Sequence, residues 1–303
     1  MSAAPATAPR RSDALPLLLL AAVSLCWGLN WPVMKIALTS IPVLPFRALS
    51  VLVAGPALLA FAALRGDSLA VPRQQRGTLL AAALFNVTLW NLLSATGVSL
   101  MAAGRASIIA YTMPAWASLF GAIILGERLD RRRLLALLLG VLGIAALILP
   151  ELRAMAAAPL GALAMVGAAM AWAAGTVTIK RVRWTASVAV LTGWRLVSGG
   201  LPILLAAIAW GQFPGLGDAS TTALAALAYA ILLGSMFGQW AWFVVLSALP
   251  VAVASVGSLA IPVVGTLASS VLLHEPLGAA ELAALALVVS ALALLLLPGA
   301  RRP

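Results

Sequence analysis

Ten apolar runs, each about 20 residues long, follow one another with only short polar seams, and this succession decides what the chain can fold into. The runs lie near residues 15–38, 43–64, 77–99, 104–125, 132–150, 160–179, 186–210, 222–247, 251–272 and 278–298. A helix of about 20 apolar residues crosses the roughly 30 Å hydrocarbon core of a bilayer. Inside that core, only helices and closed barrels satisfy their own backbone polar groups. Hydrophobic residues make up 63% of the chain and charged residues 9%, whereas a soluble domain carries about a quarter charged residues. Too little polar surface remains to cover a water-soluble particle. The expected fold is an all-α membrane protein of ten transmembrane helices, with seams too short for a second, soluble domain.

The net charge of +11 is an orientation signal rather than a nucleic-acid footprint, because membrane proteins collect Lys and Arg in their cytoplasmic loops. One set of seams holds Arg10, Arg11, Arg65, Arg73, Arg76, Arg128, Arg131 to Arg133, Lys180, Arg181, Arg183, Arg301 and Arg302. The other set holds Lys35, Arg47, Arg105 and Arg153, with Arg195 near the start of span seven. That asymmetry predicts both termini in the cytoplasm and no nucleic-acid partner. Arg10 and Arg11 before Leu15–Leu25 resemble a secretory leader, but the apolar stretch runs on to Leu38 and is expected to remain as the first span. Cys26 is the single cysteine and His274 the single histidine. No metal site or cofactor is therefore expected. With no HExxH, no Cys–His pair and no paired mid-membrane carboxylates, an enzyme is not expected either.

The chain also repeats itself. Gly126–Pro150 aligns with His274–Pro298, Glu127 with Glu275 and Pro150 with Pro298. The same offset of 148 pairs Arg47 with Arg195, Ser107 with Ser255 and Pro114 with Pro262. At an offset of 145, Trp27 meets Trp172 and Lys35 meets Lys180. The expected organisation is a cytoplasmic tail (1–14), a first five-helix repeat (15–150), a periplasmic linker (151–159), a second repeat (160–298) and a cytoplasmic tail (299–303). Because five is odd, the second repeat must enter the membrane inverted. Inverted repeats place a binding site near the midplane between the halves and suit alternating access.

WGLNWPVMKIAL near the start, the Phe46–Arg47 pair opening span two and LGERLD closing span four resemble the drug/metabolite transporter superfamily, in particular its EamA-type ten-helix exporters. In the second half HEPLG keeps the glutamate but carries His274 where the first half has glycine. The resemblance implies a secondary transporter that exports amino acids or similar small metabolites across a bacterial inner membrane. A drug/multidrug or nucleoside/sugar-type efflux carrier is the alternative, with a channel behind it.

Polar residues inside spans mark substrate paths. Asn86 and Trp90 share one face of span three, with Asn91 beside them; Tyr111 and Pro114 lie on a stripe of span four; Gln239 lies on span eight and matches Asn91 in the repeat. Asn86, Asn91 and Gln239 are expected to offer amides to a zwitterion, and Trp90, Tyr111 and Trp240 to wall the cavity, joined by Trp172 and Asn30. The walls are expected from spans one, three, four, six, eight and nine. Pro114, Pro262 and Pro32 are expected to break or loosen their helices. Glu127, Glu275, Arg47 and Arg195 are expected to be structural charges, and Lys35 to snorkel to the outer headgroups. The cavity is thus expected to carry neutral polar groups only. Since no Asp or Glu falls in mid-span, flux is expected to be facilitated or gradient-driven. The expected partners are a small-molecule substrate and the bilayer, with a monomer as the working unit.

Overall fold

Unbroken apolar sequence leaves the helix as the backbone form that closes all its own hydrogen bonds in lipid. The computed structural model describes residues 14–126, 131–153, 158–213, 217–248 and 260–296. Every regular element among the described residues is a helix. The first repeat holds α1 (Ala14–Ala37), α2 (Val43–Leu64) and α3 (Arg73–Ala83), which passes through a wide π turn (Leu84–Leu89) into α4 (Trp90–Leu100). The fourth run is split into α5 (Ala103–Ala110) and α6 (Met113–Leu125), and α7 (Arg131–Arg153) follows. The second repeat holds α8 (Ala158–Lys180), α9 (Val188–Ala209) and α10 (Thr221–Tyr229). A second π turn (Ala230–Phe237) leads into α11 (Gly238–Ala248), before α12 (Ala260–Leu273) and α13 (Ala279–Leu296).

Seven helical segments are long and apolar enough to cross a membrane, and three shorter apolar helices accompany them among the described residues. α7 runs to Arg153, past the expected boundary at Pro150. Glu127 and Ser255 lie outside the described residues.

Local sequence explains the ends. α2 and α9 both stop where a glycine takes a positive φ, Gly66 at 82° and Gly211 at 60°, a conformation that side-chain-bearing residues rarely adopt. Ser187 and Ser220 cap α9 and α10, each accepting a backbone N–H from three residues on. The fourth run breaks at Tyr111 and Thr112, and Pro114 stands in the first turn of α6, where its missing N–H is harmless. Pro32, by contrast, does not break α1, which continues to Ala37; the expected loosening there is corrected to a continuous helix. A proline removes one hydrogen bond, and the packing of α1 on α12 and α10–α11 accompanies the uninterrupted rod.

The two repeats interleave rather than sit side by side: α2 lies along α9, α7 along α13, α1 along α12 and α4 along α8. Glycines permit the closest of these approaches, as small residues do between membrane helices. A Cβ added at Gly55 would lie 3.1 Å from the Gly193 carbonyl, and one at Gly200 would lie 2.7 Å from Val51. Those contacts run α2 and α9 antiparallel. Outside, the surface is apolar: Leu64 is 89% exposed, Val271 73% and Ile123 70%. Lipid, not water, is the solvent that such a surface suits.

One end of the bundle is held by polar contacts between α4, α5 and the second repeat. Glu275 accepts the backbone N–H groups of Ala103 and Gly104 at the start of α5, and Arg105 pairs with Glu281 at 2.6 Å. Lys35 donates its Nζ to the carbonyls of Val98, Ser99 and Met101 at 2.6, 3.1 and 2.9 Å. The snorkelling role expected for Lys35 is therefore corrected. The last turn of α4 leaves carbonyls without helical partners, and a cation satisfies them at close range.

Candidate functional site

Each helix facing the centre contributes one stripe. On α1, Trp27, Asn30, Trp31 and Met34 recur at helical spacing and share a face. Asn86, Trp90, Asn91 and Ser94 do the same across the first π turn, and Gly234, Ser235 and Gln239 across the second. Together with Tyr111 from the break in span four and Trp172 from α8, they enclose a cavity of about 200 Å³. Arg47 of α2 and Arg195 of α9 also line it.

The π turns matter for the chemistry. A π turn widens the helix by one residue and frees backbone groups. In the second turn the Gly234 carbonyl accepts the Trp27 indole N–H at 2.9 Å. In the first, Asn86 donates its Nδ2 to the Trp172 carbonyl at 2.8 Å, tying α8 to the turn. Gly175 makes room for that amide, since a Cβ at Gly175 would collide with the Asn86 side chain. Trp90 and Trp172 meet edge-to-face with ring centres 5.1 Å apart, a favoured aromatic geometry. Asn91 is turned back on its own helix, with Nδ2 on the Val87 carbonyl at 2.7 Å.

One buried arginine and one half-buried arginine give the cavity its charge. Arg47 is 8% exposed and donates from Nη2 to Ser94 Oγ at 2.9 Å and to Met34 Sδ at 2.7 Å. Arg195 donates from Nη2 to Thr192 Oγ1 at 3.2 Å. The Nε groups of both arginines, and the Oδ1 atoms of Asn30 and Asn86, have no hydrogen-bond partner among the described residues. No acidic residue among the described residues lines the cavity.

Asn30, Asn86, Trp90, Asn91, Tyr111, Trp172 and Gln239 thus come together around one cavity. Trp240 does not. It is 38% exposed and packs against Phe237 instead, because one residue beyond Gln239 is a rotation of roughly 100° around the helix. Arg47 and Arg195, expected as structural charges, are corrected to cavity-lining cations, and with them the expectation of a wholly neutral cavity. The walls also differ: α2 and α9 contribute, while the described part of span nine does not. Pro262 lies buried near the start of α12, with its carbonyl taken by Thr266 Oγ1 at 2.8 Å rather than facing the cavity. A signal for the arginines was present in the sequence, since an ionisable residue within a span, at matching positions of both repeats, marks function by default.

The profile of the EamA-like transporter family matches residues 14–149 and again residues 159–297. The chain belongs to the EamA-like transporter family. It is accordingly a multi-pass protein of the drug/metabolite transporter superfamily, which fits the apolar exterior and the central cavity. Among EamA-like relatives, an uncharacterised transporter, YvbV, of Bacillus subtilis (strain 168) is 29% identical over 91% of this chain and 90% of its own. A "probable amino-acid metabolite efflux pump" of Salmonella typhimurium is 28% identical over 93% of this chain and 94% of its own. One solved crystal structure shares the EamA-like fold, with a TM-score of 0.61 at 22% identity over 91% of this chain and 95% of that one.

Proposed function

We propose that this protein is a secondary exporter of amino acids or similar small metabolites, working by alternating access between two inverted five-helix repeats in a bacterial inner membrane. The observation that carries the reading is a single cavity walled by corresponding residues of both repeats: Trp27 and Trp172, Asn91 and Gln239, Arg47 and Arg195. Inverted repeats that share one midplane site can expose it to either side in turn. The efflux-pump name of the Salmonella relative supports the substrate class. A volume of about 200 Å³ also favours a small metabolite over a multidrug cargo, because pockets for drug-sized ligands hold roughly 300–1,000 Å³.

With both termini in the cytoplasm, the contacts of Lys35, Glu275 and Arg105 lie at the periplasmic end and hold it closed. Release would part them. The monomer is the working unit in this reading, since one chain encloses the whole cavity. The test is counterflow: purified protein in liposomes should exchange labelled for unlabelled metabolite with saturable kinetics. Linear, non-saturating flux without counterflow stimulation would favour a channel and sink the carrier.

A further inference from the structure

We infer that the cargo is a dicarboxylate bearing a hydrogen-bond donor, an acidic amino acid or a hydroxy dicarboxylate, with one carboxylate on Arg47 and the other on Arg195. This rests on the transport reading above and narrows it. Among the described residues, the cavity lining holds two guanidinium groups and no acidic side chain. Residues 249–259, which lie outside the described residues, contain no Asp or Glu either. A buried cation without a counter-charge is strongly disfavoured. The described residues supply only neutral partners to each Nη2 and none to either Nε. The missing anions must arrive with the ligand.

A neutral zwitterion compensates this site poorly. Its single carboxylate serves one arginine, and its ammonium meets two cations with no carboxylate to offset them. Two carboxylates neutralise both guanidinium groups, each of which has a planar fork suited to such a partner. The spacing agrees. Gly55 stands beside Gly193, and Gly200 beside Val51, so Arg195 is level with α2 about eight residues beyond Arg47, roughly 12 Å along the axis at 1.5 Å per residue. Two long side chains that start from different depths and line one cavity suit a ligand held between them. The donor follows from the amides. Asn86 commits its Nδ2 to Trp172, which leaves Oδ1 as a free acceptor, and Asn30 Oδ1 is a second. A ligand ammonium or hydroxyl placed between the carboxylates satisfies them.

The cargo then carries net negative charge, and its movement is electrogenic. The experiment uses full-length protein in liposomes and follows uptake of labelled L-glutamate, L-malate, L-leucine and glycerol 3-phosphate, with a potassium–valinomycin potential of either sign. Glutamate or malate should outpace leucine by about tenfold or more, the factor expected for one charged hydrogen-bonded contact, and an interior-positive potential should speed it. Arg47→Lys and Arg195→Lys, which keep the charge but lose the fork, should each raise the dicarboxylate KM by about tenfold. Leucine or glycerol 3-phosphate moving faster than both dicarboxylates would overturn the assignment, as would dicarboxylate flux indifferent to the potential. The wild-type comparison stands without any variant. Flux of none of the four solutes would overturn the dicarboxylate assignment, whereas the transport reading beneath it falls only on the counterflow test with other metabolites.

Discussion

The Glu275 carboxylate receives the backbone N–H groups of Ala103 and Gly104 at 2.7 and 2.9 Å, so a residue of the second repeat completes the first turn of a helix in the first. A helix N-terminus presents unpaired N–H groups and a partial positive charge, and a carboxylate satisfies both. It is one of three ties at that end of the bundle, beside Arg105–Glu281 and the Lys35 contacts.

Glu275→Gln keeps the shape of that latch and removes its charge. A hydrogen bond to a charged group contributes about 1.5–3 kcal/mol, so the variant should favour opening at the Lys35 end. In a Cys26→Ala background, a cysteine placed at the fully buried Ser107 should react faster with a maleimide in Glu275→Gln than with Glu275 intact. Equal rates would mean that the contact stabilises the fold without gating it.

Topology is checked by two cysteines. Residues introduced at Arg73 and at Arg153 should label from opposite faces of the membrane with an impermeant reagent, the outcome that the distribution of basic seams predicts. Labelling from the same face would overturn the five-plus-five inverted arrangement.

Coupling follows from the lining. With no Asp or Glu among the described residues around the cavity, collapsing a pH gradient across the liposome should leave exchange unchanged, while a net-negative cargo gains about 2.3 kcal/mol per charge per 100 mV. An absolute requirement for a proton gradient, lost on neutralising a single acidic residue, would contradict this.

Asn86→Ala removes both an acceptor in the cavity and the tie to Trp172. If its amide meets a charged ligand group, affinity should fall by roughly tenfold to a hundredfold. Trp90→Ala, which deletes the partner of Trp172, should also weaken binding. Size-exclusion profiles and melting temperatures of both variants should match wild type before flux is compared. Wild-type counterflow in both would assign these residues to packing.

Much of this architecture could be read from the chain because lipid imposes it: an apolar run of about 20 residues has one way to satisfy its backbone. Repeat matches such as Trp27 with Trp172 drew attention to faces that meet around one cavity. Less legible were features set by register and depth. Trp240 and Gln239 are neighbours in sequence yet point to different surroundings. Lys35 sits where a snorkelling lysine would, and only the three-dimensional course of α4 reveals carbonyls within its reach. The arginines were visible as residues but not as a pair facing one space, since that depends on how α2 and α9 cross. Nothing in the residue types of Leu84–Leu89 announces a π turn.

Those two π turns, at Leu84–Leu89 and Ala230–Phe237, each leave a surplus residue folded into an otherwise regular rod. Such a surplus acts like a wrinkle in a carpet. It can travel one hydrogen bond at a time, and each residue it passes is swung by roughly 100° and advanced by roughly 1.5 Å while the ends stay anchored. Asn86 and Gly234 ride inside the wrinkles, and Trp90, Asn91 and Gln239 lie just beyond them. Ratcheting both wrinkles would re-aim the cavity wall without the large sliding of whole helices through lipid that rigid rods demand.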